Sequence, residues 1–411
     1  MLNQATQALL GHEPGPVLLS IPYNVQKEWV GEEVLDQLHI PRRAPALETQ
    51  SSSVSELVSL IQSASYPVIV AGYGCVKAGA RDVVAQLSEC MGIPVATSLK
   101  GKGVVAEGKP LSLGCLGVTS NGHAYRYIVD HADLVIFLGA GFNERTSYLW
   151  DAKLLANKKL AQVDSNTGQL GRVFRPDVAI HGDIREVVTE VLTALEAHGA
   201  SPTRQDKLDS HRRTAKQPLG SEEAAQQAKF SIMKQFFDRL AAHFPKDVLI
   251  FDDNIVFAQS YFDVSDRNHY FPNSGISSLG HAIPAAIGAR FFARSSPTFA
   301  ILGDGGFQMC CMEMMTAVNY RIPLNVVVIN NATLSLIRKN QYQLYGERYI
   351  DCDFVNPDFK LLAQSFGIQH YLIETEADLD ALFERADLIS AINLIEILLD
   401  KHAFPSYVSA R

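Results

Sequence analysis

The strongest constraint on the fold is the repeated alternation of short apolar stretches with amphipathic ones, which occurs in two separate blocks. In the first block, 54–200, candidate strands at 67–71, 93–97, 134–139 and 159–163 alternate with helical patterns at 56–64, 79–91, 123–131 and 184–195. Apolar strands joined by amphipathic helices are typical of parallel sheets that are covered on both faces. The pattern therefore predicts a doubly wound parallel sheet of the α/β class.

A second alternating block covers residues 230–411. Its candidate strands at 248–251, 298–302, 324–329 and 393–398 alternate with helical patterns at 231–243, 279–292, 307–319, 357–366 and 377–386. We predict a second doubly wound parallel-sheet domain. The segment 201–229 is polar, contains Pro202, Pro218 and Gly220, and is predicted to be a linker. An apolar stretch at 15–22 favours a single strand, so 1–53 is predicted to be the end of another sheet followed by a connecting segment.

The charge and cysteine patterns limit the class of partner. The net charge is −8 and there is no long basic stripe, which argues against a nucleic acid or an anionic membrane as the main partner. The six cysteines show neither C-x-x-C spacing nor the density of a disulfide framework. No stretch reaches the roughly 18 apolar residues of a membrane span, and no signal-peptide pattern opens the chain. We expect a soluble, cytoplasmic protein with reduced thiols.

Two polar clusters follow successive candidate strands of the second block. Residues 303–306 follow the strand at 298–302, and residues 330–333 follow the strand at 324–329. The carboxyl ends of parallel strands are where ligands bind in open sheets. Glycines let a backbone approach a phosphate, and the helix predicted from Phe307 would direct its free N–H groups to the same place. A single Gly-Asp-Gly is ordinary turn chemistry, but two clusters separated by one helix indicate one shared site, with candidates Gly303, Asp304, Gly305, Gly306, Asn331 and Thr333.

A carboxylate beside a phosphate requires a cation between them. Asp304 and the amide oxygen of Asn331 are hard oxygen donors, which suit Mg²⁺, and the carbonyl of Thr333 can complete the protein's share. The sequence therefore predicts a magnesium-bridged phosphate site.

Twenty-four residues separate Gly303-Asp304-Gly305 from Asn330-Asn331. This pattern resembles the signature of thiamine diphosphate enzymes. The resemblance covers nearly the whole chain and is closest to the acetolactate synthase and benzoylformate decarboxylase branch. It implies thiamine diphosphate and Mg²⁺ as cofactors, with Asp304, Asn331 and the carbonyl of Thr333 as the metal ligands.

The segment 277–288 resembles the family stretch in which a bulky apolar residue holds the cofactor in a bent shape. The resemblance implies that role for Leu279, and it implies that the carbonyl of Ser277 accepts a hydrogen bond from the cofactor's 4′-amino group. Taken alone, Leu279 would be predicted to be a core leucine at a helix start. The flavin-binding type usually has arginine at the position of Gly141, so FAD is not predicted.

Thiamine enzymes also need a carboxylate beside the aminopyrimidine, which helps to remove the proton of the reactive carbon. In the family this glutamate belongs to an N-terminal pyrimidine-binding domain, of which 15–22 resembles only the last strand. We therefore expect no catalytic residue in this chain and a separate pyrimidine-binding-domain subunit, in a hetero-oligomer built on a dimer or tetramer. A truncated, inactive relative is the alternative.

The resemblance implies an acetolactate synthase-like carboligase or decarboxylase that uses pyruvate or a related 2-oxo acid. Two alternatives stay open: a simple 2-oxo acid decarboxylase of the benzoylformate or pyruvate type, and a non-catalytic subunit that only holds the cofactor. A nucleotide-binding dehydrogenase would need a G-x-G-x-x-G turn after a strand, and the chain contains no such turn.

Overall fold

A computed structural model describes residues 1–11, 15–37, 51–199, 202, 206–215 and 228–403. The N-terminal part contains helices α1 (Leu2–Leu10) and α2 (Glu33–Asp36) and a 3₁₀ turn at Val25–Lys27. The predicted strand at 15–22 does not form, and Leu18 is 93% exposed. A strand needs a neighbour to pair its backbone groups, and none of the described strands lies beside this stretch. The notion that 15–22 is the end of a sheet whose other strands lie elsewhere stays a prediction.

The first α/β block forms a six-stranded parallel sheet with the order β3-β2-β1-β4-β5-β6. Its strands are β1 (Pro67–Ala71), β2 (Val95–Thr97), β3 (Ser112–Cys115), β4 (Leu134–Leu138), β5 (Lys159–Asp164) and β6 (Val178–His181). Its helices are α3 (Ser51–Ser63), α4 (Tyr73–Lys77), α5 (Arg81–Met91), α6 (His123–His131) and α7 (Ile184–Ala197), with 3₁₀ turns at Leu99–Gly101, Ala152–Leu154 and Thr167–Gln169.

Burial on both faces explains why the central strands are continuously apolar. In β1, Val68 and Val70 pack into the core on one face, whereas Ile69 and Ala71 pack into the core on the other. A parallel sheet that is covered by helices on both sides has no face that can carry polar side chains.

The second block forms another six-stranded parallel sheet, with the order β11-β12-β10-β9-β7-β8. Its strands are β7 (Leu249–Asp252), β8 (His269–Pro272), β9 (Thr298–Gly303), β10 (Leu324–Asn330), β11 (Gln369–Ile373) and β12 (Ile392–Leu398). Helix α8 (Asp206–Ala215) precedes it, and its own helices are α9 (Ser231–His243), α10 (Val256–Tyr261), α11 (Ala282–Phe292), α12 (Asp304–Cys310), α13 (Met314–Tyr320), α14 (Ser335–Leu344), α15 (Phe359–Phe366) and α16 (Glu376–Arg385). The predicted fold class, two doubly wound parallel sheets, is confirmed.

The strand order places a topological switch point between β7 and β9. The chain runs from β7 outward to β8 and then crosses back to β9 on the other side of β7. The connections therefore leave a crevice outside the carboxyl ends of these two strands, which is the preferred ligand position in such sheets.

Two predicted helices begin at other residues in the structure. The helix predicted at 307–319 begins at Asp304 and is interrupted by a 3₁₀ turn at Cys311–Glu313. The helix predicted from Leu279 begins at Ala282, because Ser277 and Gly280 have φ values of +59° and +85°. Left-handed residues cannot continue a right-handed helix.

The predicted linker, 201–229, contains helix α8, which packs on α6 of the central domain. Leu208 is buried there, and Nε2 of His211 lies 2.9 Å from Nδ1 of His123. Burial lowers the pKa of His211 to about 4. Residues 201, 203–205 and 216–227 of the predicted linker lie outside the described residues.

The two α/β blocks also contact each other through buried polar groups. The backbone N–H of Glu107 donates to the carbonyl of Val264 at 2.9 Å, and the N–H of Val264 donates to the Glu107 carboxylate at 2.8 Å. The same carboxylate pairs with Lys102 at 2.6 Å, with both side chains almost fully buried. These contacts join the central domain to the segment between β7 and β8.

Candidate cofactor site

Asp304 follows β9 at the switch point and is 1% exposed. Its Oδ2 accepts the backbone N–H groups of Asn331 at 3.1 Å and of Ala332 at 2.6 Å. Its Oδ1 accepts the N–H of Gly305 at 2.9 Å. The carboxylate therefore ties the end of β9 to the end of β10, and the two predicted clusters do meet.

The loop after β10 is shaped by one left-handed residue and a short brace. Ala332 has a φ of +54°, which costs a residue with a Cβ roughly 1–2 kcal/mol. The segment 352–354 supports this loop: the N–H of Leu334 donates to the Cys352 carbonyl at 2.8 Å, and Oγ1 of Thr333 donates to the same carbonyl at 2.9 Å. The brace holds the loop in a conformation that it would not adopt alone.

Asn356 is a member of the site that the sequence analysis did not assign. Its Nδ2 donates to Asp304 Oδ2 and to Asn330 Oδ1, both at 2.8 Å, and its Oδ1 accepts from Gln308 at 2.6 Å. It lies 52 residues after Asp304, between Val355 and Pro357 in a segment without helix or strand, so no local pattern pointed to it.

Burial and hydrogen bonding act in opposite directions on Asp304. Desolvation raises the pKa of its carboxyl, while the donors from Asn356, Ala332, Gly305 and Asn331 lower it, and desolvation prevails. A nearby cation would favour the charged form of such a buried carboxylate.

The side chains present fit a small, hard cation. Oδ1 of Asp304 accepts from Gly305 and keeps a second lone pair, and Nδ2 of Asn331 donates to Ser335 Oγ at 2.7 Å, which leaves the amide oxygen as an acceptor. In the part of the chain that the structure describes, no group of three His, Cys, Asp or Glu side chains is placed to hold a metal. Mg²⁺ commonly completes its coordination with water and with the oxygens of a bound phosphate.

The glycines of the turn have tight surroundings. A Cβ at Gly305 would lie 2.7 Å from Leu334 Cδ2, and a Cβ at Gly306 would lie 2.8 Å from Asp253 Oδ2. A Cβ at Gly303, in contrast, would meet nothing closer than Ile255 Cδ1 at 4.0 Å. The two glycines inside α12 therefore allow close packing within the protein, whereas the surroundings of Gly303 are looser.

Leu279 lies on a turn beside this site and is 38% exposed, so the interpretation of it as a core leucine is wrong. The turn contacts α12, because a Cβ at Gly280 would lie 3.6 Å from the Cβ atoms of Met309 and Cys310. The carbonyl of Ser277 accepts from Asn254 Nδ2 at 3.1 Å. It keeps a second lone pair for another donor.

Asp252 and Asp253 lie at the end of β7, next to the switch point, and the sequence analysis assigned neither. Asp252 is fully buried and accepts from Ile255, Gln259 and Tyr270, yet desolvation raises its pKa to about 6. Asp253 is 1% exposed and accepts from Gly280 and His281. The signal that could have identified them was their position at the end of a strand next to the switch point.

The switch point of the central domain is closed by backbone packing. The N–H of Gly74 donates to the Gly139 carbonyl at 2.9 Å, and a Cβ at Gly72 would lie 2.3 Å from that carbonyl oxygen. The glycine pair after β1 therefore serves close contact between two loops.

Comparison with known proteins agrees with this geometry. Residues 54–191 match the central domain of thiamine pyrophosphate enzymes, and residues 254–397 match their C-terminal TPP binding domain. Thiamine pyrophosphate is the same compound as thiamine diphosphate. All the described helices are too short or too polar to cross a membrane.

Several curated relatives are acetolactate synthase large subunits. The protein from Pyropia yezoensis is 29% identical over 384 residues, which are 91% of this chain and 64% of the relative. A probable large subunit from Methanococcus aeolicus is 28% identical over 420 residues, which are 96% of this chain and 69% of the relative. The large subunit from Lactococcus lactis is 28% identical over 404 residues, which are 95% of this chain and 68% of the relative. The chain thus spans about two thirds of the length of these relatives, and it contains the central domain and the C-terminal cofactor-binding domain of the thiamine pyrophosphate enzymes.

Proposed function

We propose that this chain holds the diphosphate of thiamine diphosphate through Mg²⁺ and serves an acetolactate synthase-like carboligase or decarboxylase of pyruvate or a related 2-oxo acid. The buried Asp304 carboxylate carries the proposal, because it joins the ends of β9 and β10 at a topological switch point. The similarity to acetolactate synthase large subunits supports the reaction class.

Each site residue has a distinct part in this proposal. Asp304, the amide oxygen of Asn331 and the carbonyl of Thr333 hold the cation, while Gly303 borders the space for the diphosphate. Leu279 and the Ser277 carbonyl support and orient the rest of the cofactor. Bound thiamine diphosphate supplies a nucleophilic carbon and accepts the electron pair that is released when CO₂ leaves. FAD is not part of the proposal.

The proposal includes a partner that supplies a pyrimidine-binding domain and its activating glutamate, in a hetero-oligomer built on a dimer or tetramer. It is supported by exposed apolar side chains at the rim of the site: Ile276 is 95% exposed, and Met309 and Met312 are each 65% exposed. Contiguous exposed apolar groups mark interaction surfaces. The cytoplasmic location expected from the cysteines also belongs to this proposal, and all six are free thiols.

The test is to measure CO₂ release and acetolactate formation from pyruvate with thiamine diphosphate and Mg²⁺, first with this chain alone and then with a pyrimidine-binding-domain polypeptide added. We expect turnover only in the mixture, because general acid–base help contributes about 10² to 10⁴-fold in rate. The Asp304→Asn variant should abolish the gain. Turnover by the chain alone would contradict the need for a partner. Absence of cofactor binding would contradict the assignment of the site.

A further inference from the structure

The turn that carries Leu279 is held by side chains from outside the turn. The Ser277 carbonyl accepts from Asn254 Nδ2 at 3.1 Å, and the Ser278 carbonyl accepts from Asn273 Nδ2. On the other side of Leu279, Asp253 Oδ2 accepts the N–H of Gly280 at 2.8 Å, and Oδ1 accepts the N–H of His281 at 3.1 Å. The backbone is therefore bonded on both sides of Leu279.

These polar bonds add to the limited packing of the turn's own apolar side chains. Leu279 is 38% exposed and Ile276 is 95% exposed. Ser277 is left-handed at a φ of +59°, which is an unfavourable conformation for a residue with a Cβ. Strained backbone of this kind persists only where the surroundings hold it in place.

Asp253 is the central member of this set. It is 1% exposed, it bonds both N–H groups after Leu279, and its Oδ1 also accepts from Asn273 Nδ2 at 3.0 Å. It also borders α12, since a Cβ at Gly306 would lie 2.8 Å from its Oδ2. One carboxylate thus lies between the Leu279 turn and the first turn of α12, which begins with Asp304.

We propose that Asp253 is a positioning residue that sets where Leu279 stands relative to the diphosphate site, so that the thiamine moiety is bound in addition to the diphosphate. The inference rests on the proposed function, which supplies the ligand. Asp253 acts through the backbone of Gly280 and His281 and has no contact with the cation in this assignment.

The first test is amide hydrogen exchange of the full chain without ligand. In Asp253→Asn the amide nitrogen replaces one acceptor, so a backbone donor loses its partner. We expect exchange at Gly280 or His281, whichever loses its acceptor, to accelerate by about tenfold or more, as the loss of a hydrogen bond to a charged group predicts. The control is Asp263→Asn, which removes the charge of an exposed aspartate in the same domain. Unchanged exchange at both amides would overturn the inference.

The second test compares two ligands in the presence of Mg²⁺, thiamine diphosphate and inorganic pyrophosphate. Pyrophosphate probes only the diphosphate site, so its affinity should stay within about twofold in Asp253→Asn, whereas the preference for thiamine diphosphate should fall by about tenfold, equivalent to 1.4 kcal/mol. Equal loss of both affinities would overturn the inference and indicate general damage. Failure of the wild type to bind either ligand would instead overturn the proposed function, with the exchange result still standing.

A milder variant keeps the proposal testable if Asp253→Asn does not fold. Asn273→Ala removes the donor that bridges Asp253 and the Ser278 carbonyl, and Asn273 is only half-buried. We expect a change in the same direction but smaller, in both the exchange of the turn and the ligand preference. A wild-type ligand preference in this variant, together with wild-type exchange, would overturn the proposal.

Discussion

Replacement of Asp304 by asparagine separates the ligand role of its carboxylate from its role in the fold. The variant keeps the shape and one acceptor oxygen, but its amide nitrogen must face a backbone donor such as Gly305 N–H. An unsatisfied buried donor costs about 1–3 kcal/mol. Removal of a charge whose pKa is raised by burial offsets part of that cost. We therefore expect the free energy of unfolding without ligand to fall by no more than about 2 kcal/mol.

In this variant, the stabilisation of the folded protein by bound cofactor should disappear completely. Thiamine diphosphate with Mg²⁺ at 100 times its Kd stabilises a folded protein by about 2.7 kcal/mol. That corresponds to a rise in Tm of about 5–11 °C at about 2–4 °C per kcal/mol, the range for domains of 150–250 residues. In Asp304→Asn we expect no rise, because the only carboxylate among the three assigned metal ligands is lost.

Thermal unfolding with and without the cofactor, followed by calorimetric titration, provides the measurement. The matched control is Asp358→Asn, which removes the charge of an exposed residue at the start of α15, where asparagine caps a helix as well as aspartate. The control should retain the full rise in Tm, and chelation of Mg²⁺ should abolish it. A wild-type rise in Asp304→Asn would refute the assignment of the metal site.

Two further predictions concern Leu279 and Asp252. Leu279→Ala should leave pyrophosphate affinity unchanged and lower turnover of the assembled enzyme, because a support beside the cofactor is lost while the cation ligands remain; full turnover would contradict its role. Asp252 has a folded-state pKa of about 6, above its ordinary value of 3.8, so its contribution to stability is present below pH 3.8 and is lost as pH rises to about 6. Denaturant unfolding between pH 4 and 7 should show this loss, about 3 kcal/mol at most, in the wild type and in the exposed-site control Asp247→Asn, but not in Asp252→Asn; an equal slope in all three would contradict the assignment.

Within the two sheets, the strands that the sequence predicted are the eight interior ones, and the four that it missed all lie at sheet edges: β3, β6, β8 and β11. Interior strands are buried on both faces and are therefore continuously apolar, as in β4, where every residue is buried. An edge strand is less covered and contains both polar and apolar residues, as in β11, where only Ile373 is fully buried. Such a stretch resembles a loop until a neighbouring strand pairs with it.

The sequence by itself determined the α/β class, both sheets and the local clusters at the ends of β9 and β10, because periodicity and strand ends are local properties of the chain. Only the tertiary structure decided which distant residues join those clusters. Asp253 and Asn356 reach the site from 51 residues before and 52 residues after Asp304. The exposure of Leu279 was decided in the same way, since a hydrogen-bonded turn keeps it out of the core. Their roles arise from the order of strands around a switch point, and that order is set by the packing of the whole sheet.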